Sequence, residues 1–148
     1  SKILDDLYRV SLAISILELT DKTMSDNDPH PSLFLILKEV LKAYNNTLID
    51  PKVLFWFYEC ALLNNLGFQP NLDDPHLPGL VLPEIKNDSN CIIVLSTLLA
   101  GNIKQLQKIK VSKETSNLVS NYLWSLIDYH FEGLSSIKSF KVVKQLLS

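Results

Sequence analysis

Hydrophobic and polar positions follow a helical period along most of the chain, and residues 51–66 are the clearest segment. Asp50 can cap the first free N–H groups, and Pro51 suits the first helical position, where no N–H is needed. Gly67 then allows the left-handed turn that ends a helix, and Pro70 prevents a restart. The apolar residues between these signals are Val53, Leu54, Phe55, Trp56, Phe57, Tyr58, Cys60, Ala61, Leu62, Leu63 and Leu66. They cover nearly every face, so we expect this helix to lie buried at the centre of the fold.

The remaining pattern predicts further helices on both sides of this one. In the first, Ile3, Leu7, Val10, Ile14 and Leu17 recur at helical spacing. The helices predicted besides the central one cover about residues 2–19, 32–44, 91–100, 103–109 and 113–131. A last helix ends at about residue 147. The fold class is therefore all-α, a compact bundle of about six or seven helices around residues 51–66.

Polar residues mark where these helices begin and end. Ser89 or Asn90 can cap the helix over 91–100, which Gly101 ends, and Ser112 can cap the long helix that follows. We expect Gly133 to end that long helix. Ser136 or Ser139 then starts the last helix.

Residues 69–90 break the helical pattern. They hold four of the seven prolines, show no helical period, and predict a long irregular loop. Residues 79–82 favour a short strand within it. A loop of this length in a compact domain is usually functional or poorly ordered.

Composition is that of a single folded domain over residues 1–148. Hydrophobic residues make up 47% of the chain, which argues against disorder. No apolar run reaches the roughly 18 residues that a membrane span needs, and the chain starts with no signal-peptide pattern. Cys60 and Cys91 are far apart in the sequence and lie in apolar surroundings, so we expect reduced thiols. The expected location is the cytoplasm, in association with the bacterial nucleoid or its equivalent in an organelle.

Charge is divided unevenly along the chain. Residues 1–103 hold 7 basic and 13 acidic side chains, whereas residues 104–148 hold 7 lysines and 3 acids. The lysines form two groups, Lys104, Lys108, Lys110 and Lys113 around a helix junction, and Lys138, Lys141 and Lys144 along one edge of the last helix. Such rows suit phosphate contact without sequence readout, because no aromatic side chains alternate with them. The alternative is a solvated lysine face.

Few residues offer catalytic or metal chemistry. Asp73, Asp74 and His76 are three potential metal ligands in four residues, but a solvated turn is the more common setting for such a group. Glu59 interrupts the apolar helix and needs a partner if buried; Arg9, loop N–H groups or an exposed helix end could supply one. No phosphate loop or nucleophile motif is present. We therefore expect neither an enzyme nor a bound metal or cofactor.

Three segments together resemble the C-terminal domain of the RecO recombination-mediator family. The central helix and its ending match the family's apolar helix with one embedded Glu, followed by Leu-Leu and Leu-Gly-Phe/Tyr-x-Pro-x-Leu. The matching residues are Phe57, Glu59, Leu62, Leu63, Leu66, Gly67, Phe68, Pro70 and Leu72. Residues 7–44 are similar to the family's opening pair of helices, with Ile36 where the family has leucine. Residues 129–146 resemble its closing segment. On this resemblance Glu59, Gly67 and Pro70 are structural motif positions.

The resemblance implies a function and a set of partners. RecO proteins bind single- and double-stranded DNA, anneal strands, act with RecR, and help load RecA onto strands coated by single-stranded DNA-binding protein (SSB). The helical domain is expected to hold a groove for the acidic, apolar SSB tail. The family also has an N-terminal OB-fold domain, which is absent from residues 1–148. Family members often carry a zinc knuckle where this chain has residues 73–90 without cysteine. We expect Leu77, Leu80, Val81 and Leu82 to pack there instead. The alternative function is a helical protein–protein scaffold unrelated to DNA.

Overall fold

The structure, a computed structural model, describes residues 1–24, 30–46, 48–132, 134 and 138–148, with the backbone alone for residues 138–142. Its α-helices are α1 (Lys2–Thr23), α2 (Pro31–Ala43), α3 (Pro51–Asn65), α4 (Ser89–Leu99), α5 (Lys113–His130) and α6 (Lys138–Leu147). Two 3₁₀ helices cover Ile85–Asn87 and Ile103–Lys108. The described residues contain no strand, and the predicted all-α bundle is confirmed.

Helix α3 forms the centre of the bundle. It packs against α1, α2, α4 and α5, and ten of its fifteen residues are buried. The Asp50 carboxylate accepts the Lys52 N–H at 2.9 Å, as the sequence predicts for the cap. At the other end Gly67 takes φ +89°, and the Phe68 N–H reaches the Leu63 carbonyl at 2.7 Å. This is a Schellman ending, and it turns the chain into the loop.

Polar bonds tie the outer helices to α3. The Trp56 indole N–H donates to the Ser120 hydroxyl on α5 at 2.9 Å, and that hydroxyl donates to the Leu147 carbonyl on α6 at 3.2 Å. On the opposite side the hydroxyls of Tyr58 and Thr20 lie 2.5 Å apart. A buried polar group needs such a partner, so these bonds fix how α1, α5 and α6 sit on the core.

The start of α4 differs from the sequence prediction. The cap is Asp88, not Ser89 or Asn90, and its carboxylate accepts the N–H groups of Asn90 and Cys91 at 3.0 and 3.1 Å. The other oxygen accepts the Thr115 hydroxyl at 2.7 Å, so one side chain joins the starts of α4 and α5. Asp88 is preferred because only its carboxylate can serve both helices at once.

The ends of the other predicted helices also shift. Helix α1 continues to Thr23, one turn beyond the predicted end. Helix α6 begins at Lys138, so Ser139 lies inside it and does not start it. Gly133 and Ser136 lie outside the described residues.

The loop after α3 is held by packing and hydrogen bonds. Leu77 and Leu82 pack against the core as expected, and Leu80 is half-buried, but Val81 is 96% exposed. The packing prediction for Val81 is therefore wrong. Ile85, in the first 3₁₀ helix, is the buried anchor of the segment. The predicted strand is also wrong: the only pairing seen in the described loop is one isolated bridge between Leu77 and Leu80.

One hydrogen bond joins the same loop to α5, and another joins two parts of the loop to each other. The Tyr129 hydroxyl donates to the Pro78 carbonyl at 3.1 Å, and the Lys86 ammonium donates to the Asp73 carbonyl.

Candidate nucleic-acid and partner interface

The first predicted lysine group lies on an exposed surface before α5. Lys104 and Lys108 belong to the second 3₁₀ helix, Lys110 follows it, and Lys113 is the first residue of α5. All four side chains are exposed, while Leu106 and Ile109 between them are buried and fasten the segment to the core. Within the described residues none of the four meets a carboxylate within 4 Å. Their charges therefore face solvent and are available to an anion.

The polar face of α5 continues from this lysine surface. The Ser112 hydroxyl caps α5 by accepting the Thr115 N–H at 3.2 Å. This cap fixes the start of the helix, and with it the position of Lys113, the first residue of α5. Asn117 and Asn121 follow Lys113 at intervals of four, so the three residues lie in a row. From Lys113 to Asn121 the helix rises about 12 Å.

The row opens into a cleft of about 390 Å³ between α5 and the end of α6, here called the α5/α6 cleft. Its main polar and aromatic lining is Asn117, Ser120, Asn121, Trp124, Ser125 and Lys144. No lining side chain carries a carboxylate. The Asn117 amide oxygen is buried and has no hydrogen-bond partner among the described residues. The cleft thus offers amide and hydroxyl groups, one lysine at its edge and part of an indole ring. This combination suits a ligand that carries a negative charge.

Only one lysine of the second predicted group can be placed. Lys144 is exposed and lines the α5/α6 cleft. The side chains of Lys138 and Lys141 lie outside the described residues. The fold therefore brings Lys144 onto the α5 row that begins at Lys113, although the two residues are far apart in sequence.

Sequence reasoning missed the polar residues that connect the two lysine groups. Asn117, Asn121 and Trp124 were not singled out because each is an ordinary helical residue when taken alone. The available signal was the interval of four between Lys113, Asn117 and Asn121, which places them on one line of a helix. The cleft itself depends on α6, whose position is not visible from the α5 sequence.

Glu59 lies in the core without the partner that was predicted for it. The side chain is completely buried, and neither carboxylate oxygen has a hydrogen-bond partner among the described residues. Burial raises its pKa well above the ordinary value, so the neutral acid is the favoured form.

Arg9, one of the possible partners for Glu59, is engaged elsewhere. Its guanidinium donates to the carbonyls of Tyr44, Asn46 and Ile49 at 3.4, 3.2 and 2.9 Å. These carbonyls close the connection between α2 and α3. The Arg9 guanidinium can bind all three because it carries several N–H donors.

The loop acids show no metal-binding arrangement. Among the described residues no three His, Cys, Asp or Glu side chains are placed to share a metal ion. Asp73, Asp74 and His76 are all exposed. Across all the residues that the structure describes, no helix is long and apolar enough to cross a membrane.

A second cleft of about 280 Å³ lies where the loop crosses α5. Phe68 and His130 stack there with ring centroids 4.2 Å apart, beside Tyr122 and Leu126. Desolvation lowers the pKa of His130, which favours its neutral ring. Besides Tyr122, the other ionisable lining groups are Asp74 and His76, so no lysine or arginine lines this cleft.

The family model for the C-terminal part of recombination protein O matches residues 4–84, from α1 to the loop after α3. The chain belongs to this family. The match covers the residues of the Leu-Gly-Phe-x-Pro-x-Leu ending, but not α5, α6 or either lysine group. Membership therefore assigns no role to the lysines of this RecO-family chain.

Curated relatives extend the likeness over nearly the whole chain. The DNA repair protein RecO of Exiguobacterium sibiricum is 29% identical over 138 residues, covering 93% of this chain and 53% of the relative. The RecO of a Thermoanaerobacter species is 27% identical, covering 92% of this chain and 65% of the relative. The RecO of Bacillus mycoides is 36% identical over 72 residues, about half of this chain. The chain thus spans about half to two thirds of the length of the first two relatives. No solved structure matches it.

Proposed function

We propose that this chain is the helical part of a cytoplasmic RecO-type recombination mediator in DNA repair. Its share of that function is DNA contact without sequence readout and docking of SSB and RecR during loading of RecA. The relatives' names support DNA repair, and so they favour this function over a scaffold unrelated to DNA. The observation that carries the DNA contact is the polar face from Lys113 through Asn117 and Asn121 to Lys144, whose cleft is lined by no acidic side chain.

The chemistry of this face fits a nucleic-acid backbone. Lysines are point charges on flexible stems, and they need no fixed geometry to meet a phosphate. Lys104 and Lys108 extend the same positive surface before α5. Amide and hydroxyl groups in the α5/α6 cleft can accept or donate to sugar and phosphate oxygens, which orient a strand without reading its bases. Binding by this face is weak, because few phosphates are contacted.

Salt dependence of binding to single-stranded DNA tests this proposal. A labelled oligothymidylate is titrated by fluorescence anisotropy between about 50 mM and about 200 mM salt. Lys113→Glu with Lys144→Glu should weaken binding about tenfold or more and reduce the salt slope by roughly 0.7 for each phosphate that is no longer neutralised. Lys38→Glu with Lys42→Glu, at two exposed lysines on α2, changes the net charge equally; it is the matched control and should change little. Equal weakening by both variants would show that only net charge matters, and the assigned face would then be wrong.

The SSB tail is proposed to use the α5/α6 cleft, not the second one. A tail of this kind presents carboxylates and a terminal aromatic ring, so it needs a cation beside an aromatic wall. Lys144 and Trp124 supply both in the α5/α6 cleft, whereas Asp74 would repel the tail from the second cleft.

A labelled peptide ending in Asp-Ile-Pro-Phe tests the location. Lys144→Glu should abolish saturable binding, while Asp74→Asn should leave it unchanged. If Asp74→Asn strengthens binding and Lys144→Glu has no effect, the tail occupies the second cleft. The proposal for RecR assigns no surface; it rests on the family alone.

A further inference from the structure

The outer face of α1 is apolar and uncovered in the described structure. Five large aliphatic side chains on it are between 47% and 73% exposed. They are Ile3, Leu7, Val10, Ile14 and Leu17. The opposite face of the same helix is packed on the bundle through Leu12, Ser15, Ile16, Leu19 and Thr20. A helix that is apolar on two opposite faces is normally covered on both, so a partner for the outer face is expected.

The spacing on this face indicates that the partner is a helix. Successive steps from Ile3 through Leu7, Val10 and Ile14 to Leu17 are four, three, four and three residues. This is the seam spacing that lets side chains of one helix fit between those of another. The seam rises about 21 Å along α1, which is the length of a partner helix of about 15 residues.

Charges beside the seam indicate the chemistry of that helix. At about 100° per residue, Asp6 and Glu18 lie about 60° on either side of the centre of the seam, and Asp21 continues its line after Leu17. The cations of α1 lie about 90° or more away, and Arg9 is bonded to carbonyls at the junction of α2 and α3. The border of the seam is therefore acidic, and it favours a partner with lysine or arginine at its flanking positions.

We propose that the outer face of α1 binds an amphipathic helix of a partner protein whose apolar seam is bordered by basic residues. A second copy of this chain fits less well, because it brings the same acidic border and supplies no opposite charge. The footprint of one helix is also small against the roughly 800 Å² per partner of a stable dimer. This site is separate from the lysine face of α5.

Two designed peptides of about 20 residues test the proposal. Both carry Leu and Ile at the seam positions; one has Lys and the other Glu at the flanking positions. Fluorescence anisotropy of the labelled Lys peptide should show saturable binding that is at least about tenfold tighter than that of the Glu peptide, and weaker at higher salt. Leu7→Asp with Ile14→Asp should abolish it. Ile93→Asp, at an exposed apolar position on α4, should not.

Reversal of the border is the sharper test. Asp6→Lys with Glu18→Lys should make the chain prefer the Glu peptide, an exchange that a nonspecific apolar contact would not show. Equal binding of both peptides to the unchanged chain, or no saturable binding of either, would overturn the proposal. So would light scattering that shows a dimer which Leu7→Asp dissociates, because the occupant would then be a second copy.

Discussion

Replacing Glu59 by methionine should stabilise the fold at neutral pH. The carboxyl group lies in the middle of α3, completely buried, with neither oxygen bonded among the described residues. Its pKa is raised well above the ordinary value of 4.5 because burial disfavours the charged form. In the unfolded chain at pH 7 the same group is ionised. Folding therefore requires this acid either to take up a proton or to bury a charge.

The size of the effect follows from the proton uptake. Protonating an acid with the ordinary pKa of 4.5 at pH 7 costs about 3 kcal/mol, at 1.36 kcal/mol for each pH unit. Methionine has a similar length and no charge, so it removes this cost and fills most of the same space. The free energy of unfolding should rise by about 2–4 kcal/mol at pH 7, which corresponds to an increase in Tm of about 5–12 °C.

The sign of the pH dependence separates this explanation from a simple packing gain. Because the folded pKa is raised, the favourable contribution of Glu59 is complete below the unfolded pKa. It is lost as pH rises from there toward the folded pKa. Between these values the free energy of unfolding should fall by up to about 1.4 kcal/mol per pH unit. Glu59→Met and Glu59→Gln should both lack this part of the slope.

Urea unfolding followed by circular dichroism at pH 5 and pH 7.5 measures both quantities. Glu39→Gln, at an exposed acid on α2, is the control and should leave the slope unchanged. The reasoning is refuted if Glu59→Met destabilises the protein at pH 7, or if its pH slope equals that of the unaltered chain. Either result would mean that the carboxylate is ionised and paired in solution.

Three other substitutions should weaken the fold through single contacts, each measured by thermal or urea unfolding. Trp56→Phe removes the indole N–H from the buried Ser120 hydroxyl and should cost about 1–3 kcal/mol; a loss below about 0.5 kcal/mol would show that this bond contributes little. Gly67→Ala places a Cβ at φ +89° with open space around it, so strain alone should cost about 1 kcal/mol, and no loss would contradict the Schellman ending. Asp88→Ala should lower Tm at pH 7, because hydrogen bonds from Thr115 and from backbone N–H groups hold the pKa of Asp88 below its usual value. That stabilisation is present above the unfolded pKa and lost as pH falls toward the folded pKa, so the difference in Tm should shrink in acid.

Local signals in the sequence predicted the helices well wherever one residue type determines the outcome. Pro51 and Gly67 bound α3 as expected, because a proline ring and a left-handed turn each allow few alternatives. Ser112 caps α5 for the same local reason. The cap of α4 was misplaced because Asp88 also binds Thr115 on α5, a contact that depends on tertiary structure.

Periodicity identified α1 as a helix but does not determine which of its faces is buried. Ile3, Leu7 and Leu17 form the more regular stripe, yet Leu12 and Ile16 on the other side make the contact with the bundle. Helix α1 is anchored on that side by Thr20, whose hydroxyl meets Tyr58 on α3. The buried Tyr58 hydroxyl needs a partner, and Thr20 supplies one, although the Thr20 hydroxyl also bonds the Ile16 carbonyl of its own helix. This contact favours burial of the Thr20 side of α1, although the apolar stripe has the clearer pattern.

The candidate site shows a further limit of reading one segment at a time. Lys113 and Lys144 belong to different helices, and each lysine group alone looks like a solvated face. Lys144 lies beside Asn117 and Asn121 because α6 packs on α1 and its end is held on α5 by the Ser120 hydroxyl. That hydroxyl accepts from Trp56 and donates to the Leu147 carbonyl, so one residue joins α3, α5 and the end of α6. The same residue lines the cleft. Ser120→Ala should therefore disturb the position of Lys144 as well as stability. It should weaken DNA binding although no lysine is substituted and the net charge is unchanged, a result that a uniform charge effect would not produce.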